Sequence, residues 1–343
     1  MTTGNAKKPR IVLYGIGQYG SHLARFAVQK GWPIVAAYNR AGTKVGQDLG
    51  RVIGLERDLG VKIQDCETGD YSNLDADIGL VAQTNVLKLN LPAYRRLMNA
   101  GLNVGCHGSE SYLPQGCDPE VAAEIDALAR KNGVTFTGSG IWDMSRIWSG
   151  ILLAGPCTEL ASLSHSSITD AQGQANSLAQ ARQVGISMTL DEFRALGLDK
   201  TRLAISYRTI PEHVLIALGY TITSSTATIE PVVFDVPVST WFVESGSIPA
   251  GTVVGTRILS ETKTNEGVTA KAQIDLRLFK PGEVEHMFWS VEGKPTTRVR
   301  VERDDSAHAT AANLFNRVPD IIAAPPGIVP VYRLGPLKST SLA

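Results

Sequence analysis

Cysteine is scarce in this chain, and Cys66, Cys106, Cys117 and Cys157 show neither a C-x-x-C spacing nor the density of a disulfide scaffold. That scarcity argues against a zinc ribbon, a dithiol redox centre or a cross-linked secreted fold, and it leaves four reduced thiols with no metal expected. Excess charge is missing too: 33 Lys and Arg balance 33 Asp and Glu. With no polybasic run and no aromatic-basic patch, nucleic acid and anionic membrane surfaces are not expected partners. No apolar stretch approaches the length of a membrane span, and the start Met-Thr-Thr-Gly-Asn-Ala-Lys-Lys lacks the apolar core of a signal peptide, so the cytoplasm is the expected location. Repeats and low-complexity segments are absent as well. What remains is a chain of 343 residues, long enough for two domains and a sizeable core.

Glycine, by contrast, is concentrated where it carries information. The segment Ile11-Val12-Leu13-Tyr14-Gly15-Ile16-Gly17-Gln18-Tyr19-Gly20 joins an apolar run to a complete G-x-G-x-x-G. Gly15 permits the tight turn, Gly17 lets backbone approach a pyrophosphate, and Gly20 lets the following helix pack closely on the strand. His22, Leu23, Phe26 and Ala27 then recur at helical spacing from Ser21 to Lys30, before Gly31-Trp32-Pro33 stops the helix ahead of a second strand, Ile34 to Tyr38. A strand, a glycine loop, a helix and a strand in this order are a dinucleotide-binding unit, with the phosphates at the helix N-terminus.

The tip of the second strand points to the preferred dinucleotide. NAD-preferring sites offer the ribose a carboxylate about 20 residues downstream of the glycines, but here the tip reads Asn39-Arg40. Arg40 can pair with a 2′-phosphate and Lys44 can add a second charge. NADP(H) is therefore expected, with NAD(H) accepted through the hydrogen-bonding capacity of Asn39.

Strand and helix continue to alternate through Val61–Ile63, Ile78–Ala82, a helix from Leu89 to Ala100, Asn103–Cys106, a helix from Pro119 to Asn132, and Val134–Thr137. Gly101 and Gly133 stand where helix C-caps belong. This series predicts an α/β domain, a Rossmann-type doubly wound parallel sheet whose ligands gather at the carboxyl ends of the strands. Two such ends stand out. Gln83, Thr84 and Asn85 follow the fourth strand and are expected to line the nicotinamide ribose. The loop from Cys106 to Pro114 follows the fifth and carries His107 and Glu110, the latter its only carboxylate.

After Gly138-Ser139-Gly140 the composition shifts to β-branched, alternating stretches: Thr221–Glu230, Val253–Leu259, Ala270–Leu278 and Thr297–Glu302. These predict an α+β second domain on a mostly antiparallel sheet, residues 141–306, for substrate binding and dimerisation. A helical segment from Ala307 to Arg317 and a proline-bounded tail are expected to return to the nucleotide domain, which then comprises 1–140 plus 307–343.

The segment Asn39 to Gly50, the loop around Glu110, Gly138-Ser139-Gly140 and the stretch Asn316 to Gly327 together resemble the 2,4-diaminopentanoate dehydrogenases and the related native amine dehydrogenases, whose fold is that of dihydrodipicolinate reductase. The resemblance spans nearly the whole chain and is close in those blocks. It implies nicotinamide-dependent interconversion of a primary amine with a carbonyl compound plus ammonia, with Glu110 as acid/base and iminium stabiliser. The sequence also departs from the family pattern. Where diaminopentanoate dehydrogenases continue Gly-Thr-Gly with Asn-Pro-Gly, this chain has Ile141-Trp142-Asp143-Met144, and a family histidine falls at Tyr207. These aromatics imply a simple ketone, aldehyde or amine held by apolar contact, in a pocket walled by His107, Trp142, Trp148, His165 and Tyr207.

Two other readings stay open. One is an amino acid or diamino acid dehydrogenase of the diaminopentanoate type, with Arg146 or Arg208 as the anchor for a carboxylate. The other is a non-catalytic NADP-binding sensor that keeps the fold without the chemistry.

Overall fold

The computed structural model describes residues 7–173, 175, 177–198 and 201–339. They form two compact units. One runs to Asp143 and resumes at Ala307, and the other is Met144–Ser306.

The first unit is built on seven parallel strands. Strands β1 (Ile11–Tyr14), β2 (Ile34–Asn39), β3 (Ile63–Asp65), β4 (Ile78–Val81), β5 (Asn103–Cys106) and β6 (Thr135–Gly138) are joined at the edge by the short strand Gly327–Ile328. Their spatial order is Gly327–Ile328, β6, β5, β4, β1, β2, β3. All four residues of β1 are buried because helices cover both faces of the sheet, which is why the strand reads as a continuous apolar run. Alternate residues serve opposite faces. Val12 and Tyr14 join a core with Tyr94, Leu97, Ile125 and Phe136, whereas Ile11 and Leu13 join Leu23, Ala27, Leu314 and Phe315. Each such large apolar side chain contributes about 1.5–3 kcal/mol on burial. Chain order reverses between β1 and β4, and the crevice at such a switch point is where doubly wound sheets bind ligands.

Helix α1 (Gln18–Lys30) begins three residues earlier than the sequence pattern suggests, directly on the glycine loop, and ends at Gly31 with a left-handed φ of 62°. The expected third strand lies two residues further on, at Ile63–Asp65, because it pairs in register with Ala37, Tyr38 and Asn39 of β2. Residues 141–143, which the sequence reading assigns to the second domain, cluster with the first unit, where Asp143 has its ion-pair partner Arg317.

The second unit carries a six-stranded sheet in the order Thr297–Arg303, Glu285–Lys294, Glu159–Asp170, Thr269–Arg277, Val253–Thr264, Ile222–Val233. Its pairings are antiparallel except the central one, between Glu159–Asp170 and Thr269–Arg277, which is parallel. Helix Arg202–Ala217 packs on the last three strands, and helix Ser149–Ala154 on the first two. Among the described residues no helix is long and apolar enough to cross a membrane.

Candidate active site

The three motif glycines do different work. A Cβ on Gly15, whose φ is 96°, would lie 2.7 Å from the carbonyl oxygen of Ala82, and one on Gly20 would collide with the carbonyl oxygen of Gly15. Those two positions need glycine for the protein's own packing. Gly17 does not: a Cβ there would meet nothing within 4 Å, and its φ of −90° suits any residue. The open space beside Gly17 is what close approach of a pyrophosphate requires. Gly17 also caps α1 without a side-chain hydrogen bond, and no acid occupies the first turn, which suits an anion at that end. A dinucleotide phosphate fits this loop.

At the tip of β2, the Oδ1 of Asn39 accepts the Ile16 N–H at 3.0 Å and its Nδ2 donates to the Arg40 carbonyl at 3.2 Å. Lys44 donates from Nζ to the Ile16 carbonyl at 2.5 Å. Both side chains therefore brace the glycine loop. Arg40 is exposed.

After β4 the loop is held by a residue the sequence reading missed. Asn90, buried on helix Leu87–Asn99, accepts from the Thr84 hydroxyl at 3.0 Å and the Thr84 N–H at 3.3 Å, and donates to the Thr84 carbonyl at 2.8 Å. Asn90 and Tyr94 also donate to the Cys106 sulfur, at 3.7 and 3.1 Å, and burial pushes that thiol up. An asparagine one turn into an apolar helical face is the signal that could have marked it.

Glu110 sits in a single 3-10 turn, Ser109–Ser111, beyond β5 and is 1% exposed. Its Oε2 accepts the backbone N–H of Leu87, the first residue of helix Leu87–Asn99, at 2.7 Å. A carboxylate at that point satisfies an otherwise orphaned donor and lies at the positive end of the helix dipole. The turn is fixed from both sides. Asn85 accepts the Glu110 N–H at 3.2 Å through its carbonyl and the Ser109 N–H at 3.3 Å through Oδ1. On the other side a Cβ on Gly138 would collide with the Ser111 carbonyl, and the Ser139 N–H donates to the Cys106 carbonyl at 2.9 Å. Gly108 is needed for the same reason, since its Cβ would lie 2.6 Å from the Thr84 carbonyl oxygen.

His107 lies against Tyr19, ring centroids 4.5 Å apart, with Nδ1 buried and unbonded, and burial pushes its imidazole down to about 4. Trp142 stands beside Tyr112, centroids 5.2 Å apart. Behind them Asp143 takes a hydrogen bond from Ser139 at 2.8 Å and a two-pronged ion pair from Arg317. Neither member of that pair was singled out from sequence.

The remaining proposed wall residues belong to the second unit. Trp148 closes the π-helical stretch Asp143–Trp148, and His165 lies on strand Glu159–Asp170 against Trp289, centroids 4.7 Å apart. Tyr207, on helix Arg202–Ala217, faces the guanidinium of Arg146 at 5.5 Å. Of the two anchors suggested for a carboxylate, Arg208 is engaged by Glu212 at 2.9 Å. Arg146 is 2% exposed and donates to Ser167 at 3.2 Å, and burial lowers its pKa. No group of metal-ligating side chains occurs among the described residues, and none of the four cysteines is in a disulfide.

No protein-family model matches the chain. The solved structure of an amine dehydrogenase from Mycobacterium smegmatis superposes with a TM-score of 0.86 at 30% identity, covering 97% of this chain and 98% of that one. A 2,4-diaminopentanoate dehydrogenase from Acetoanaerobium sticklandii is 25% identical over 94% of this chain and 92% of its own length. A probable dehydrogenase from Thermotoga maritima shares the fold, with a TM-score of 0.59 at 12% identity over 95% of this chain and 94% of that one. The buried glutamate at the helix N-terminus and the phosphate-ready glycine loop thus stand in a chain that belongs to the amine dehydrogenase family.

Proposed function

We propose that the protein catalyses NAD(P)-dependent reductive amination of a small ketone or aldehyde with ammonia to a primary amine, and the reverse oxidative deamination. The observation that carries this reading is the Glu110 carboxylate, buried at the carboxyl end of the sheet and fixed by the Leu87 N–H at 2.7 Å. When bound, the nicotinamide supplies the hydride in one direction and accepts it in the other. Residues Gly15, Ile16, Gly17, Gln18, Tyr19 and Gly20 would hold its pyrophosphate side, and Gln83, Thr84 and Asn85 its nicotinamide ribose. Arg40 and Lys44 would meet a 2′-phosphate, which supports a preference for NADP(H). Asn39, already bonded to the Ile16 N–H, leaves the charge of Arg40 as the main discriminator.

Glu110 acts on protons and charge. The carboxylate takes a proton from ammonium, and the ammonia so released adds to the carbonyl carbon, passing one of its own protons to the oxygen to give a neutral carbinolamine. Glu110 then hands its proton to the hydroxyl, so that water leaves and an iminium cation remains beside the carboxylate. The carboxylate, already anchored through one oxygen, then stabilises that cation without reorganising. In deamination the same group takes the proton of the water that attacks the iminium.

The test follows NADPH absorbance with short aldehydes and ketones, with and without ammonium, for the wild type and Glu110→Gln. Oxidation that needs ammonium and falls by about 10²–10⁴ in Glu110→Gln, with NADPH still bound, supports the reading. Ammonium-independent oxidation would make the protein a carbonyl reductase, and tight NADPH binding with no turnover would make it a sensor.

A further inference from the structure

One neutral side chain, which takes no part in the proton transfers, ties the loop after β4 to the loop after β5. Asn90 stands in the first turn of helix Leu87–Asn99 and is 1% exposed. An asparagine amide can accept two hydrogen bonds and donate two, and here all four are made. Three go to a single residue: Oδ1 accepts the Thr84 hydroxyl and N–H, and Nδ2 donates to the Thr84 carbonyl. The fourth runs from Nδ2 to the Cys106 sulfur at 3.7 Å, at the end of β5. Aspartate would lack the two donors and leucine all four bonds. The Thr84 hydroxyl in turn accepts the Val86 N–H at 3.2 Å, and the Asn90 N–H donates to the Val86 carbonyl at 3.2 Å. The turn that leads into the helix is therefore folded around this amide.

Glu110 takes three hydrogen bonds for its turn from that same short segment. The Asn85 carbonyl accepts its N–H, the Asn85 Oδ1 accepts the Ser109 N–H, and the Leu87 N–H donates to its Oε2. Main chain and carboxylate are thus both hung on residues 85 and 87, which flank the turn that Asn90 fixes. The two loops also meet directly. The Cys106 sulfur that receives Asn90 accepts the Gly108 N–H at 3.4 Å, and a Cβ on Gly108 would lie 2.6 Å from the Thr84 carbonyl oxygen, so backbone packs on backbone there. A shift of residues 84–86 is therefore passed to Glu110 through its own hydrogen bonds. Displacing a reacting group by about 1 Å can cost about 10² in rate.

We infer that Asn90 is a positioning residue for Glu110, its amide clamping residues 84–86 against the loop after β5 and so setting where the carboxylate stands. Its effect on rate rests on the amination reading, and the clamp itself does not.

The full-length wild type, Asn90→Leu, Glu110→Gln and the double variant are compared by amide hydrogen exchange and by ammonium-dependent NADPH oxidation. Asn90→Leu is close in size and makes none of the four bonds. It is expected to speed exchange about tenfold or more in peptides spanning 84–90 and 107–112, with peptides from β1 and from strand Thr269–Arg277 unchanged. Its kcat should fall by about 10–10², with KM for the carbonyl compound within about threefold of the wild type. Because it acts through Glu110, the same substitution should cost less than about threefold in the Glu110→Gln background. Asn90→Ser, which keeps a small polar group, should show the same pattern more weakly and replaces Asn90→Leu if that variant does not fold. Unchanged exchange at 107–112, or faster exchange spread evenly over the first unit, would overturn the clamp. An equal loss of kcat in both backgrounds would show that Asn90 does not act through Glu110. If Glu110→Gln kept the wild-type rate, or the wild type turned over no carbonyl compound, the amination reading would fall, and exchange at 107–112 would decide the clamp alone.

Discussion

Arg317 and Asp143 form a fully buried ion pair, Nε to Oδ2 at 2.7 Å and Nη2 to Oδ1 at 2.8 Å, between residues 174 apart in the chain. Both are 0% exposed, and Asp320 and Ser139 take up further hydrogen-bonding capacity, so neither charge is left bare. Removing one partner strands the other in a dry interior. Arg317→Met is expected to lower stability by about 3–5 kcal/mol, while Arg317→Met combined with Asp143→Leu costs less than the single change. Urea unfolding of the three proteins checks this, and a double variant no more stable than Arg317→Met would contradict it.

Gly17 and Gly20 separate ligand binding from folding. Gly17→Ala has room for its methyl group and should stay within about 1 kcal/mol of the wild type in thermal unfolding. Its dinucleotide affinity should fall by about tenfold or more, because the methyl occupies the approach to the phosphates. Gly20→Ala meets the Gly15 carbonyl and should destabilise the protein itself. If Gly17→Ala bound the dinucleotide normally, the loop would not be a phosphate site.

Arg40 is expected to set cofactor preference. Replacing it with serine removes a charge-assisted hydrogen bond of about 1.5–3 kcal/mol to a 2′-phosphate and leaves an unphosphorylated ribose unaffected. Parallel titrations with NADPH and NADH should show a selective loss for NADPH. Equal loss of both would mean that Arg40 acts on the loop rather than on the phosphate.

Buried histidines make the fold acid-sensitive above the carboxylate range. Burial pushes His107 down to about 4 and His213 to about 3, against about 6.5 for an exposed imidazole. Between those values the unfolded chain binds more protons than the folded one. The stability these residues provide as neutral groups is therefore complete above about pH 6.5 and falls as pH drops towards 4 and then 3. For His107 the loss amounts to about 3 kcal/mol. His107→Gln should flatten the pH 4–6.5 part of a stability profile measured by denaturant unfolding, and an unchanged slope there would be inconsistent with a neutral buried His107.

The sequence made the βαβ frame readable because parallel strands buried on both faces leave continuous apolar runs, and because the glycine loop is a local feature. Asn103–Cys106 was placed to the residue. The start of the helix at Leu87 was read two residues late because its cap is non-local: Val86 offers no side chain, and the first N–H finds Glu110, 23 residues further on. Asp143 and Arg317 leave no mark in the spacing for the same reason, since they pair across 174 residues. Each is polar and buried only because of a partner that the fold brings from elsewhere, and spacing carries no record of such partners. Glu110 could be singled out as the carboxylate of a turn-rich loop, but its closeness to Leu87 is a property of adjacent parallel strands.

The edge strand Gly327–Ile328 and the ion-pair residue Arg317 both lie beyond the second unit in the chain, so synthesis delivers them only after that unit. A nascent chain that has just emerged to Ser306 possesses β1 to β6 and the glycine loop, yet β6 has an open edge and Asp143 has no guanidinium. The nucleotide unit must therefore wait, incomplete, while the whole second unit is made, and its most vulnerable interval on the ribosome falls after its own glycine motif has been translated.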